Sequence, residues 1–139
     1  MILYLDTSAL VPLLIDEPTT RDFRSLWLGA DIAVTTRLAY VEASSAIARA
    51  RRSRRISDAA LTAALQARDE LWEECVALEI DDDLMRRSAE VAVEFGLRGY
   101  DAVHCAAAES ISEADMVAAS GDKALLAAWH ELGITTISL

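Results

Sequence analysis

The stretch Ile2-Leu3-Tyr4-Leu5-Asp6-Thr7-Ser8 decides the fold. Four apolar residues form a short run that reads as a buried strand, and three polar residues then cut it off and can open a helix. The pattern recurs along the chain. Ile32 to Thr35, Val76 to Ile80, Met116 to Ala119 and Ile134 to Ile137 are further short apolar runs with strand character. Between them the periodicity predicts helices over Ser8–Ile15 and Thr20–Leu28, the second ended by Gly29. A long helix from Arg37 to about Arg54 follows a capping Thr36, and another begins after Ser57 and reaches Glu74. Asp81–Phe95 is closed by Gly96, Gly99–Ser112 follows, and Leu125–Leu132 ends at Gly133. Short apolar strands alternating with helices predict an α/β fold with a parallel sheet covered on both faces. In such sheets the sites form at the carboxyl ends of the strands.

Composition sets the limits. A chain of 139 residues has the size of one domain, expected over 1–139, and 53% hydrophobic residues suffice for a core. The net charge of −10 excludes holding nucleic acid by bulk charge. A nucleic-acid ligand would therefore need a metal ion, a local basic patch, or both. Cys75 and Cys105 lie far apart, without metal-site or disulfide spacing. The apolar start stops at Asp6, too soon for a signal peptide, and no run is long enough to span a membrane. These features predict a soluble cytoplasmic protein.

Four acids stand at informative addresses. Asp6 ends the first strand and Asp122 follows the fourth. Glu42 lies in the second turn of the long helix, on one face with Leu38, Ala46 and Arg49. Asp101 opens the helix after Gly99 and shares a face with Cys105. Each has a simpler role when taken alone: Asp6 and Asp122 can cap helices, Glu42 can be a tolerated helix acid, and Asp101 can complement a helix dipole. Together at one sheet edge they suggest a shared site. Carboxylates on inward faces need a partner, and gathering them is expected to raise the pKa of all four. A divalent cation relieves that repulsion, and oxygen-only ligands favour Mg²⁺ or Mn²⁺.

Four segments resemble motifs of the PIN-domain nucleases: Leu5-Asp6-Thr7-Ser8-Ala9-Leu10, Val41-Glu42-Ala43-Ser44-Ser45-Ala46, Gly99-Tyr100-Asp101-Ala102-Val103-His104 and Ser120-Gly121-Asp122-Lys123-Ala124-Leu125. They occur in the family's order, and the likeness covers essentially the whole chain. Within the family, the compact length and the Arg98–His104 stretch are similar to VapC-type toxins of type II toxin–antitoxin pairs. The resemblance implies a three-layer α/β/α PIN-like fold with a five-stranded parallel sheet in strand order 3-2-1-4-5. It implies a catalytic and metal-binding quartet of Asp6, Glu42, Asp101 and Asp122, with Asp6 and Asp101 in closest contact with Mg²⁺ or Mn²⁺. It also implies cleavage of RNA, a homodimer, and a hetero-oligomer with a VapB-like antitoxin that neutralises the activity. The alternative is a catalytically silent PIN-like module that binds RNA or protein.

The remaining polar residues divide into supporting and structural ones. Thr7 and Ser120 can hydrogen-bond the acids or cap their own segments. His104 is expected to be structural, Cys105 a small core residue, and Asp81-Asp82-Asp83 a cap with first-turn charge. Arg49, Arg51, Arg52, Arg54 and Arg55 form the one dense basic block and are candidates for contacting the RNA backbone. Trp27 and Trp72 lie on helices outside the motifs and are either core residues or part of an antitoxin groove. A phosphohydrolase with an aspartate nucleophile would place a second Asp two residues after Asp6, where this chain has Ser8.

Overall fold

The computed structural model describes residues 1–138; Leu139, the last residue of the expected domain, lies outside them. Its strands are β1 (Ile2–Leu5), β2 (Ile32–Thr36), β3 (Val76–Leu78), β4 (Met116–Ser120) and β5 (Thr136–Ser138). All pairings are parallel, in the order β3-β2-β1-β4-β5. The helices among the described residues are α1 (Thr7–Leu14), α2 (Thr20–Gly29), α3 (Leu38–Arg52), α4 (Asp58–Glu74), α5 (Asp82–Phe95), α6 (Gly99–Ser110) and α7 (Lys123–Glu131). The chain therefore has the expected three-layer α/β/α architecture.

The two-residue alternation of β1 divides the core. Tyr4 turns to one face and packs with α5, α6 and α7, where Val91, Cys105, Ala108 and Trp129 are fully buried. Leu3 and Leu5 turn to the other face, against Ala9 and Leu10 of α1 and Phe23 of α2. A third cluster, with Val11, Ile47 and Ala64 at its centre, ties α1 to α3 and α4. The small residues of α6, from Ala102 to Ala108, let that helix lie close against the sheet and α5. Trp27 and Trp72 are partly buried beside the second cluster, with the Trp72 ring edge-on to Tyr40 at 5.1 Å.

Helix ends follow the residues available to satisfy them. Asp6, Ser57, Asp81 and Asp122 each accept a hydrogen bond from the amide three residues on, which caps α1, α4, α5 and α7. The predicted cap Thr36 is a correction. It stays in β2, paired with Leu78, so α3 begins at Leu38 with Arg37 as an N-cap residue whose side chain makes no capping bond. The Thr36 hydroxyl is buried without a hydrogen-bond partner among the described residues. β3 stops at Leu78, where its partner β2 ends. β5 begins two residues later than its apolar run, because Gly133 at φ 74° turns Ile134 back onto Trp129.

Gly96 ends α5 at φ 65°, a left-handed conformation that disfavours any Cβ. Gly96→Ala should therefore cost about 1 kcal/mol in urea unfolding, although a Cβ there meets nothing within 4 Å. Gly29→Ala, at the end of α2 without a positive φ, should leave stability unchanged or raise it.

Candidate active site

Asp6 follows β1 at the carboxyl edge of the sheet, where the strand order reverses between β1 and β4. It is 4% exposed, so its carboxylate must be satisfied from within. Ser8 Oγ donates to it, at 2.8 Å to Oδ1 and 2.9 Å to Oδ2. Ser120 Oγ, at the end of β4, donates to Oδ2 at 3.0 Å, and the Ala9 amide donates to Oδ1 at 3.1 Å. Burial pushes the Asp6 carboxyl above its ordinary pKa, while the His104 charge and these donors pull it back in part.

Glu42 enters from the second turn of α3. Its Oε1 accepts from Thr7 Oγ1 at 2.7 Å and meets His104 Nε2 at 2.7 Å. The other imidazole nitrogen, Nδ1, lies 2.8 Å from the Tyr4 hydroxyl in the core. A buried line Tyr4–His104–Glu42 therefore fixes one carboxylate oxygen from below. Burial alone would raise the Glu42 pKa, but the hydrogen bond and charge of His104, with the Thr7 bond, outweigh it and hold the group below its usual value. Burial keeps the Tyr4 phenol neutral, with its pKa well above the ordinary one. Cys105, on the same helix as His104, is an inert core thiol pushed up to about 12 by burial.

Asp101 comes from the first turn of α6 and Asp122 from the N-cap of α7. Arg98 spans them, with Nε at 2.9 Å from Asp101 Oδ2 and Nη2 at 3.6 Å from Asp122 Oδ2. Asp6, Glu42, Asp101 and Asp122 all line one cleft of ≈ 740 Å³. Arg49, Arg55 and Arg98 line it too, so the acidic floor has a cationic rim. The arginine block is thus divided. Arg49 and Arg55 reach the cleft, whereas Arg51 is paired with Asp58, and Arg52 and Arg54 are exposed away from the lining.

The expectation that all four acids have raised pKa values is corrected. Asp6 rises because of burial rather than a neighbouring carboxylate, and Glu42 moves the other way. Thr7 and Ser120 both bond acids of the quartet, and Asp81 is a helix cap as expected. Arg98 and Ser8 escaped the sequence reading. Arg98 was legible as the residue three before Asp101, a spacing that joins charges on a helix. His104, read as structural, is buried and also holds Glu42.

The donor set suits a hard divalent ion. It is all oxygen, and a guanidinium already sits between Asp101 and Asp122 as a cation would. Among the described residues no three His, Cys, Asp or Glu side chains draw together closely enough to hold one ion. Mg²⁺ commonly takes one or two carboxylates directly and keeps several waters, so it needs no such trio.

A parallel sheet in this order, with carboxylates gathered at its reversal, defines a PIN-type domain. The chain belongs to that family, whose profile, described as PIN domain, matches residues 3–128. Among individual proteins it is similar to Ribonuclease VapC45 of Mycobacterium tuberculosis, with 32% identity over 132 residues that cover 95% of this chain and 92% of the relative. Its fold is that of PAE2754 from Pyrobaculum aerophilum, at TM-score 0.72 and 24% identity over 98% of this chain and 83% of the other. VapBC-5 of Mycobacterium tuberculosis, a member of the VapBC toxin–antitoxin family, matches at TM-score 0.67 and 17% identity, covering 99% of this chain and 98% of its own.

The two oppositely shifted acids predict opposite effects on stability in metal-free buffer. Asp6 has a raised folded pKa, so its cost is absent below the unfolded value of 3.8 and grows as pH rises through the folded one. Asp6→Asn should melt progressively higher relative to the parent between about pH 4 and neutrality. Glu42 has a lowered folded pKa, so its contribution is present above the unfolded value of 4.5 and is lost as pH falls through the folded one. Glu42→Gln should melt lower at neutral pH, with the deficit closing in acid. Thermal melts of the three proteins with EDTA check both signs.

Proposed function

We propose that this chain is the toxin of a VapBC-like type II toxin–antitoxin pair, a Mg²⁺-dependent endoribonuclease that hydrolyses RNA phosphodiester bonds in the cytoplasm. The observation that carries this reading is the convergence of Asp6, Glu42, Asp101 and Asp122 on one cleft edged by arginines. Its relatives support it: one is named a ribonuclease, and a structural neighbour is a VapBC system. By analogy, a VapB-like antitoxin would neutralise the enzyme, and homodimers and hetero-oligomers would form.

Asp6 and Asp101 would hold Mg²⁺ or Mn²⁺ most closely, with Asp122 and Glu42 acting directly or through water. Bound there, the ion would lower the pKa of a water molecule and neutralise charge growing on the phosphate. The chain's own residues do the rest. Ser8 and Ser120 keep the Asp6 carboxylate turned to the cleft. Thr7 and His104 anchor one Glu42 oxygen and leave the other, which takes no hydrogen bond among the described residues, to orient the attacking water. Arg49 and Arg55 steer the phosphate backbone over an acidic surface that would otherwise repel it. Arg98 would release Asp101 and Asp122 to the ion, its exposed side chain being free to swing outward.

Asp6→Asn and Asp101→Asn should each lower kcat for Mg²⁺-dependent RNA cleavage by on the order of 100-fold or more while keeping the folded circular dichroism spectrum. Full activity in both variants would refute the assignment. In salt titrations of RNA binding, Arg49→Ala and Arg55→Ala should each reduce the slope of log K against log salt by about 1. Arg52→Ala, outside the cleft, should leave that slope as it is.

A further inference from the structure

Past Glu42 the cleft continues into a side lobe of ≈ 290 Å³ between α3 and the start of α6. Of the acids in the cleft only Glu42 also lines the lobe, and Val41 and Ser45 are added to its walls. Tyr100 and Val41 supply apolar surface, Ser45 a hydroxyl and Arg49 a cation. Tyr100 is 65% exposed and Val41 59%. The other tyrosine rings are engaged: Tyr4 edge-on with His104 and Trp129, Tyr40 with Trp72 and under Arg68. Among the described residues the Tyr100 ring has no such pair, and Arg49 has no ion pair although the chain is strongly acidic. Single exposed apolar residues are ordinary. Here an open aromatic face, an aliphatic wall and an unpaired guanidinium share one concave lobe, which joins the acidic cleft through Thr7, Glu42, Ala46, Arg49 and Tyr100.

We propose that this lobe is a nucleobase subsite. It takes one unstacked base of a single-stranded RNA segment, the nucleotide next to the scissile phosphate, with Tyr100 stacking on the base and Arg49 meeting its phosphate. The proposal rests on the ribonuclease reading and narrows its substrate to RNA whose base can leave the helix. Three features favour that occupant. A flat aromatic face with aliphatic and hydroxyl neighbours suits a base, whose π-face stacks whatever its identity. The cation suits a phosphodiester rather than an apolar protein segment. Tyr100 is covalently next to Asp101, so a base held on its ring leaves the adjoining phosphate beside the acids. A base-paired nucleotide keeps its faces covered by its neighbours and cannot offer one to the ring.

The test uses single-stranded RNA oligonucleotides carrying 2-aminopurine at successive positions, with Mg²⁺ and the Asp6→Asn protein so that no strand is cut. One position should be quenched on binding. Tyr100→Ala in the same background should lose that quenching and weaken binding by about 5- to 100-fold, whereas Tyr100→Phe should retain both. Cleavage by the otherwise native enzyme gives an independent readout. Tyr100→Ala should raise KM over the same range with a smaller effect on kcat, and a fully paired version of the oligonucleotide should compete poorly. Active enzyme with an unchanged KM in Tyr100→Ala, or quenching at no position, overturns the subsite and leaves the ribonuclease reading intact. Loss of a dimer in gel filtration on Tyr100→Ala, with RNA binding unaltered, makes the lobe a contact between copies and also overturns it. A native enzyme that neither binds nor cuts RNA removes both readings together.

Discussion

A nearly dry carboxylate at the end of the central strand is the constraint on which the rest of this structure depends. Asp6 can stay buried only if donors surround it, and the donors come from separate parts of the chain: Ser8 and the Ala9 amide from the opening of α1, Ser120 from the end of β4. That requirement joins β1 to β4 in register, Leu5 opposite Ala119, at the one place where the sheet order reverses. Losing a donor to a buried charged group costs more than losing an ordinary surface hydrogen bond. The crossover and the acid therefore support each other. The same carboxylate caps α1, so the capping reading of Asp6 holds and is compatible with the role proposed for it in the cleft.

Around Asp6 the charges follow a consistent plan. Glu42 is stabilised from beneath by His104 and Thr7, which offsets its own desolvation. Asp101 and Asp122 share the exposed Arg98 guanidinium. Ion pairs to so exposed a guanidinium contribute little to stability, so Arg98 can part from these acids at small cost. A chain of net charge −10 confines its cleft-facing cations to a few arginines at the rim.

Much of this was legible in the sequence. Apolar runs ended by Asp-Thr-Ser or Ser-Gly-Asp located β1 and β4, and the ordered acids located the cleft. Strand ends were less legible because pairing, rather than hydrophobicity, sets them: β3 stops with its partner β2, and Gly133 delays β5. Thr36 has the residue type of a cap but is held in the sheet by its neighbour strand. The pKa pattern was hidden for a similar reason. Glu42 lies 62 residues from His104, and only the packing of α6 over Tyr4 brings the imidazole beneath it. The arginine block looked uniform in one dimension, yet the end of α3 turns Arg49 and Arg55 to the cleft and Arg52 away from it.

The central proposal is that the acids of this cleft bind a divalent metal ion, with Asp101 among its closest contacts. Thermal melts of the native protein and of Asp101→Asn at about pH 7.5, in EDTA and in millimolar Mg²⁺, test it most directly, because an ion that binds only the folded site raises the melting temperature by mass action. The account predicts a Mg²⁺-dependent rise for the native protein that shrinks in Asp101→Asn. A native protein whose melting ignores Mg²⁺, or an Asp101→Asn protein that responds to it as fully as the native one, would contradict the account.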